Sequence, residues 1–121
     1  MDRLVTAPMT QRGGGSIVNI SAFAAVEPDG SIPTSSTIRA ALTGFTKLFA
    51  DRYGAANIRM NDVLPGFLDN YTWLESLIRS IPMARSGAVA EAATTVTFLL
   101  SPDAGYITGQ SFVVDGGNRS V

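Results

Sequence analysis

Cysteine and histidine are both absent from the 121 residues, and the two absences exclude a great deal. No disulfide framework can form, which fits the cytosol. The commonest zinc and haem ligands are missing, as are histidine general bases and cysteine nucleophiles. The chemistry that remains is carboxylate, hydroxyl, amide, guanidinium and one ammonium, from a single lysine beside eight arginines. Charge is sparse, at 16% of residues with a net of −1. The basic residues are scattered, so no stripe is offered to phosphate backbones and nucleic acid is not an expected partner. No apolar run approaches the ~20 residues of a membrane span, and no charged segment precedes an apolar one at the start. The expectation is a cytoplasmic protein with neither membrane nor nucleic-acid partners.

What is present suits a packed domain. Apolar residues make up 45% of the chain, and its length allows one domain, residues 1–121, with a real core. "DRLVTAPMTQR" (2–12) reads as the tail of a helix interrupted by Pro8, and "GGG" (13–15) as its stop. "SIVNIS" (16–21) is a β-branched run without clean alternation, which predicts a strand covered on both faces. Pro28, Asp29 and Gly30 mark a surface loop over 22–32. From Thr34 to Tyr53, Ile38, Leu42, Phe45, Leu48, Phe49 and Tyr53 recur at helical spacing, with Gly54 expected to close the helix. "IRMNDVL" (58–64) predicts a second strand ended by Pro65-Gly66. Residues 69–80 predict a short helix or lid with Trp73, Leu74, Leu77 and Ile78 on one side; 88–100 predict a third helix and 109–117 a last strand. This order predicts an α/β fold with a parallel sheet of about three strands, flanking helices and right-handed crossovers. So small a parallel sheet leaves an apolar edge at 16–21, as the second half of a larger unit would.

Five segments, taken in order, sharpen that reading: "GGGSIVNIS", "AALTGFTKLFA", "NIRMNDVLPGF", "IPMARSGAVAEAATTVTFLL" and "SPDAGYITGQSFVVDGG". Together they resemble the C-terminal half of a short-chain dehydrogenase/reductase, from about Gly13 to Gly117. The resemblance implies part of a doubly wound Rossmann-like sheet, with NAD or NADP as the family's cofactor and carbonyl/alcohol pairs as its substrates. Such proteins hold the cofactor pyrophosphate on a glycine-rich turn between a strand and a helix. Here the only glycine cluster, "RGGGS" (12–16), precedes a strand instead, so this chain is not expected to bind the cofactor.

The family's reaction uses a serine to polarise the substrate oxygen, a tyrosine to transfer the proton, and a lysine four residues later. With "AAL" at 40–42 as the frame, the lysine position falls on Arg39 and the tyrosine position on Ser35; counting thirteen back from Ser35 reaches Ala22 for the serine. Ser21 is one residue early, and on an extended chain its side chain would face the other way. A serine hydroxyl is a far weaker acid than a phenol of pKa about 10, and a guanidinium stays protonated and supplies no base. Tyr53, Tyr71 and Tyr106 lie in other motifs, and the family's asparagine on the preceding helix should fall before Met1. No catalytic group is therefore expected intact, and Ser35 and Ser36 read as N-caps of a helix. The rival readings are an unorthodox active site around Ser21, Ser35 and Arg39 in a longer form, and a binding module for a small anion or carbonyl ligand at Arg39, Ser35 and the 65–80 lid.

Pro65, Gly66, Phe67 and Leu68 match the family's turn beside the nicotinamide, whereas Asp69 replaces a common threonine and would oppose phosphate. Asn61 and Asp115 match structural positions. By the same resemblance, helix 35–53 and segment 106–117 are expected to join subunits of a homo-oligomer or of an assembly with a related chain. The chain is expected to be either an N-terminally shortened product or a degenerate member that acts through those contacts.

Overall fold

The computed structural model describes residues 2–118. Helix α1 (Asp2–Gln11) leads into strand β1 (Gly15–Ile20); helix α2 (Pro33–Tyr53) crosses to strand β2 (Ile58–Pro65); helices α3 (Glu75–Ser80) and α4 (Val89–Leu100) precede strand β3 (Ser111–Val114). The sheet is parallel throughout, ordered β1-β2-β3, with Gly15 opposite Ile58, Ile20 opposite Val63, and Pro65 opposite Val114. No described helix is long and apolar enough to cross a membrane.

Strand β2 is central and nearly all buried because both its faces are covered, each by alternate side chains. Ile58 and Met60 meet Phe49 of α2, with Met9, Ile17 and Tyr53 around them. Val63 turns the other way, onto Leu99 of α4 and Ala104, with Val18 and Val96 packed beside them. Each fully buried Ile, Leu or Val here contributes roughly 1.5–3 kcal/mol of transfer free energy. The lack of clean alternation in β1 has the same cause: Ile17 faces α2 and Val18 faces α4.

Polar groups set the ends of these elements. Arg59 donates from its guanidinium to the carbonyls of Leu99 (2.8 Å) and Ser101 (3.1 Å), meeting the negative C-terminal end of α4. At the other end of α4, Glu91 Oε2 accepts from Ala88 N–H at 2.7 Å and Asp69 Oδ1 accepts from Val89 N–H at 3.0 Å.

Several sequence expectations need correction. Helix α1 runs through Pro8 instead of being interrupted there, with the Thr10 hydroxyl on the Thr6 carbonyl and the Arg12 amide on the Pro8 carbonyl. Gly54 closes α2 as expected, as its C-cap, and with a φ of −59° leads into a 3-10 turn. Asn57 makes the reversal at φ 59°, because its side-chain amide reaches the Gly13 carbonyl at 3.0 Å. Gly14, at φ 140°, lies so near Asn57 that a Cβ would stand 2.5 Å from the Asn57 carbonyl oxygen. The lid is irregular over 69–74 and helical only over Glu75–Ser80. Neither Ser35 nor Ser36 caps α2. Its N-cap is Ile32 without a side-chain bond, Pro33 supplies the first turn's fixed φ, and Ser36 is buried against the Asp29 backbone.

Candidate functional site

Parallel strands point their carboxyl ends to one side, and open α/β sheets bind ligands there. Three segments leave the sheet at that end: 21–23 after β1, 66–69 after β2, and 115–117 after β3.

The first carries the triple that the "AAL" frame singled out in part. Ser35 and Arg39, one helical turn apart, are bonded: Arg39 Nε donates to Ser35 Oγ at 3.0 Å. A terminal nitrogen of the same guanidinium donates to Ser21 Oγ at 3.4 Å. Ser21 was expected to turn away, and the structure corrects this. Its amide extends the β1–β2 ladder to the Val63 carbonyl at 2.9 Å, and it shares the face of Ile17 and Asn19, the face that looks at α2. Ala22 follows in extended backbone and begins a 3-10 turn, bringing no polar side chain. An open groove of about 560 Å³ lies over this group, with Ile38, Leu42 and Phe45 as its apolar wall.

The β2 exit is built differently. Gly66 N–H donates to the Val114 carbonyl at 3.0 Å, and Gly87 is pinned between Phe67 and Asp69 by two backbone hydrogen bonds. Phe67 lies in an aromatic row that the sequence did not reveal: its ring centroid is 5.4 Å from Phe23 and 4.7 Å from Trp73, whose indole N–H donates to the Leu68 carbonyl at 2.7 Å. A cavity of about 230 Å³ sits behind it, lined by Phe67, Leu68, Met83, Gly87, Asp115 and Gly116 among others. Asp115 Oδ1 accepts from Gly117 N–H at 3.0 Å, while its Oδ2 is buried and has no hydrogen-bond partner among the described residues. Asn61 is structural as expected, donating to the Ile107 carbonyl and accepting from Gln110 N–H.

A family model described as Enoyl-(Acyl carrier protein) reductase matches residues 3–119. The chain belongs to the short-chain dehydrogenase/reductase family. The human Dehydrogenase/reductase SDR family member 4 is 36% identical over 129 aligned residues, which cover 99% of this chain and 46% of that protein. The 7alpha-hydroxysteroid dehydrogenase of Bacteroides fragilis is 35% identical, over 97% of this chain and 48% of its own. Among solved structures, an acetoin dehydrogenase from Salmonella typhimurium superposes with a TM-score of 0.86 at 35% identity, over 96% of this chain and 48% of that one. A short-chain type dehydrogenase/reductase from Mycobacterium ulcerans reaches 0.89 at 31% identity, over 97% and 46%. This short-chain dehydrogenase/reductase chain thus spans about half the length of the curated relatives it matches.

One ion pair flanks the cavity of this family member. Arg85 binds Glu91 through two contacts of 2.8 Å. That pairing, with help from the Ala88 N–H, holds the Glu91 carboxyl at about 2 instead of 4.5. A folded-state value below the unfolded one stabilises at pH above the unfolded value, and the contribution is lost as pH falls through the folded one. Glu91→Gln is therefore expected to flatten the dependence of melting temperature on acid between pH 4.5 and about 2, as thermal scans across that window would record. An unchanged pH profile would mean that the pair does not form in solution.

Proposed function

We propose that residues 1–121 form the C-terminal half of a Rossmann-like short-chain dehydrogenase/reductase domain and carry no proton-transfer chemistry as this chain. The observation behind this reading is the Arg39–Ser35 hydrogen bond of 3.0 Å at the positions where the family has lysine and tyrosine. A serine there has no acidity to transfer a proton, and a guanidinium keeps its own. Ala22, at the family's serine position, has no hydroxyl to polarise a carbonyl oxygen.

NAD or NADP is the cofactor of the family, and the residues here do not fit its diphosphate. The glycine cluster enters β1 rather than joining a strand to a helix, and Asn57 fills the space that a phosphate would need beside Gly14. Asp69 already supplies a carboxylate to the first amide of α4. On this reading Pro65, Gly66, Phe67 and Leu68, at the exit of β2, are the residues of this chain that would face the nicotinamide ring.

Function on this reading runs through contacts between subunits, in the cytoplasm. Leu48 on α2 is 69% exposed and Tyr106 fully exposed, large apolar side chains available to a second copy or a related subunit. Incubating the chain with NADH or NADPH and a panel of ketones is expected to give no turnover, and light scattering to give a dimer or larger species. Clear turnover overturns the first half of the proposal and a monodisperse monomer the second. A rival reading, an active oxidoreductase in a longer form, draws support from the convergence of Ser21, Ser35 and Arg39; a glycine-rich strand-to-helix turn encoded upstream of Met1 would favour it.

A further inference from the structure

The groove above Ser21, Ser35 and Arg39 has an unusual balance of hydrogen-bonding groups. Arg39 gives one N–H to each serine oxygen, which leaves further N–H groups of its five uncommitted. Each serine oxygen is occupied as an acceptor, yet neither hydroxyl donates to a protein acceptor among the described residues. No salt bridge joins Arg39 to a carboxylate among those residues, and no carboxylate lines the groove. The cluster therefore offers free donors beside one fixed positive charge at half-buried positions, with the second lone pair of each serine oxygen as its remaining acceptor capacity. Its other wall is hydrocarbon, from Ile38, Ala41, Leu42 and Phe45.

A cluster rich in free donors around a fixed positive charge fits an acceptor-rich anion. One guanidinium balances one negative charge, and its planar fork matches the two oxygens of a carboxylate. A phosphate dianion would leave a charge uncompensated and gain nothing from the apolar wall. We propose that Ser21, Ser35 and Arg39 bind the carboxylate of a short organic acid whose hydrocarbon tail lies along Ile38, Leu42 and Phe45. This rests on reading the three residues as a site without proton transfer. The serines act as second donors, held in orientation by the arginine that they help to aim.

The test is a titration of the 121-residue chain with sodium 3-methylbutanoate, in the absence of any nucleotide. It is followed by calorimetry and by the NMR signals of the Arg39 Nε–H and the Ser21 and Ser35 amides. Saturable binding with shifts at these three residues is expected; 3-methylbutanamide, neutral and of the same shape, should not bind. Arg39→Gln should abolish binding. Arg39→Lys, which keeps the charge and loses the fork, should weaken it by about tenfold, and so should the double change Ser21→Ala with Ser35→Ala. Circular dichroism identical to that of the parent ensures that each loss is local. Tighter binding of inorganic phosphate than of the carboxylate, equal binding of the amide, or dimerisation with no carboxylate binding would each overturn the proposal. Turnover with NADH bears only on the reading beneath it, because the titration contains no cofactor.

Discussion

Asp62→Ala is expected to lower the stability of the chain by about 3–5 kcal/mol, a large share of what a small domain possesses. Asp62 is fully buried in the middle of β2. Its Oδ1 accepts from Thr46 Oγ1 of α2 at 2.6 Å and from Asn19 Nδ2 of β1 at 3.0 Å, and its Oδ2 accepts from Ser111 Oγ of β3 at 3.1 Å. One carboxylate thus ties all three strands to the long helix. Alanine would remove the acceptor from the fully buried Thr46 hydroxyl and from the half-buried Asn19 amide, each unmet buried group costing roughly 1–3 kcal/mol before relaxation, whereas the exposed Ser111 hydroxyl can turn to water. Asp62→Asn separates this network from simple loss of volume. Its amide oxygen can serve Thr46 and Asn19, and its NH2 can donate to Ser111 Oγ, so a loss of about 1 kcal/mol is expected. Urea unfolding of the two variants beside the parent measures both. An alanine variant within about 1 kcal/mol of the parent would mean that the network adds little beyond packing.

That carboxylate also illustrates what the sequence conveyed and what it did not. The order of elements was legible because it follows from periodicity: α2 from the recurrence of Ile38 through Tyr53, β1 and β2 from β-branched runs lacking clean alternation. In "IRMNDVLP" the adjacent Asn61 and Asp62 were visible as polar residues within an apolar strand, but only the pairing of Asp62 with Thr46, Asn19 and Ser111 reveals their cost and use. Local rules failed where a distant partner outbid them. Ser35 and Ser36 have the composition of helix caps, yet Arg39 takes one and the Asp29 backbone the other. Gly54 closes α2 as its local freedom suggests, but the left-handed turn after it falls on Asn57, whose amide meets Gly13.

The candidate site divides along the same line. Spacing of four brought Ser35 and Arg39 to one helical face, and they are bonded there. Ser21 joined them through the register of β1, which aims residues 17, 19 and 21 at α2; this is a property of the sheet, not of the chain near residue 21. The aromatic row of Phe23, Phe67, Trp73 and Tyr71 draws on two loops that no periodicity connects. Asp69 looked like a charge opposed to phosphate, and it proves to be the acceptor for the first amide of α4.

Gly66→Val is expected to separate the ends of β2 and β3 and to cost about 3 kcal/mol, with Gly66→Ala at about 1–3 kcal/mol. A Cβ at Gly66 would lie 2.7 Å from Asp115 Cβ and 2.9 Å from Asp115 Cα. The second of these is backbone, so no side-chain rotation relieves the contact. Asp115 cannot easily retreat, because its Oδ1 is bonded to Gly117 N–H and the chain just before it is paired with β2. The strain must therefore lengthen the hydrogen bond of 3.0 Å from Gly66 N–H to the Val114 carbonyl, the last rung before the turn. Gly87→Ala is the matched control. There the nearest atom to a new Cβ is Leu68 Cδ2 at 3.1 Å, the tip of a flexible side chain that can give way. Urea unfolding should rank valine at 66 below alanine at 66, and both below alanine at 87. Amide shifts at Val114, Asp115 and Gly117 should accompany the Gly66 changes alone. Equal losses at positions 66 and 87 would show that β2 and β3 part without cost, and that the close approach at their exit does not shape the cavity beside Phe67.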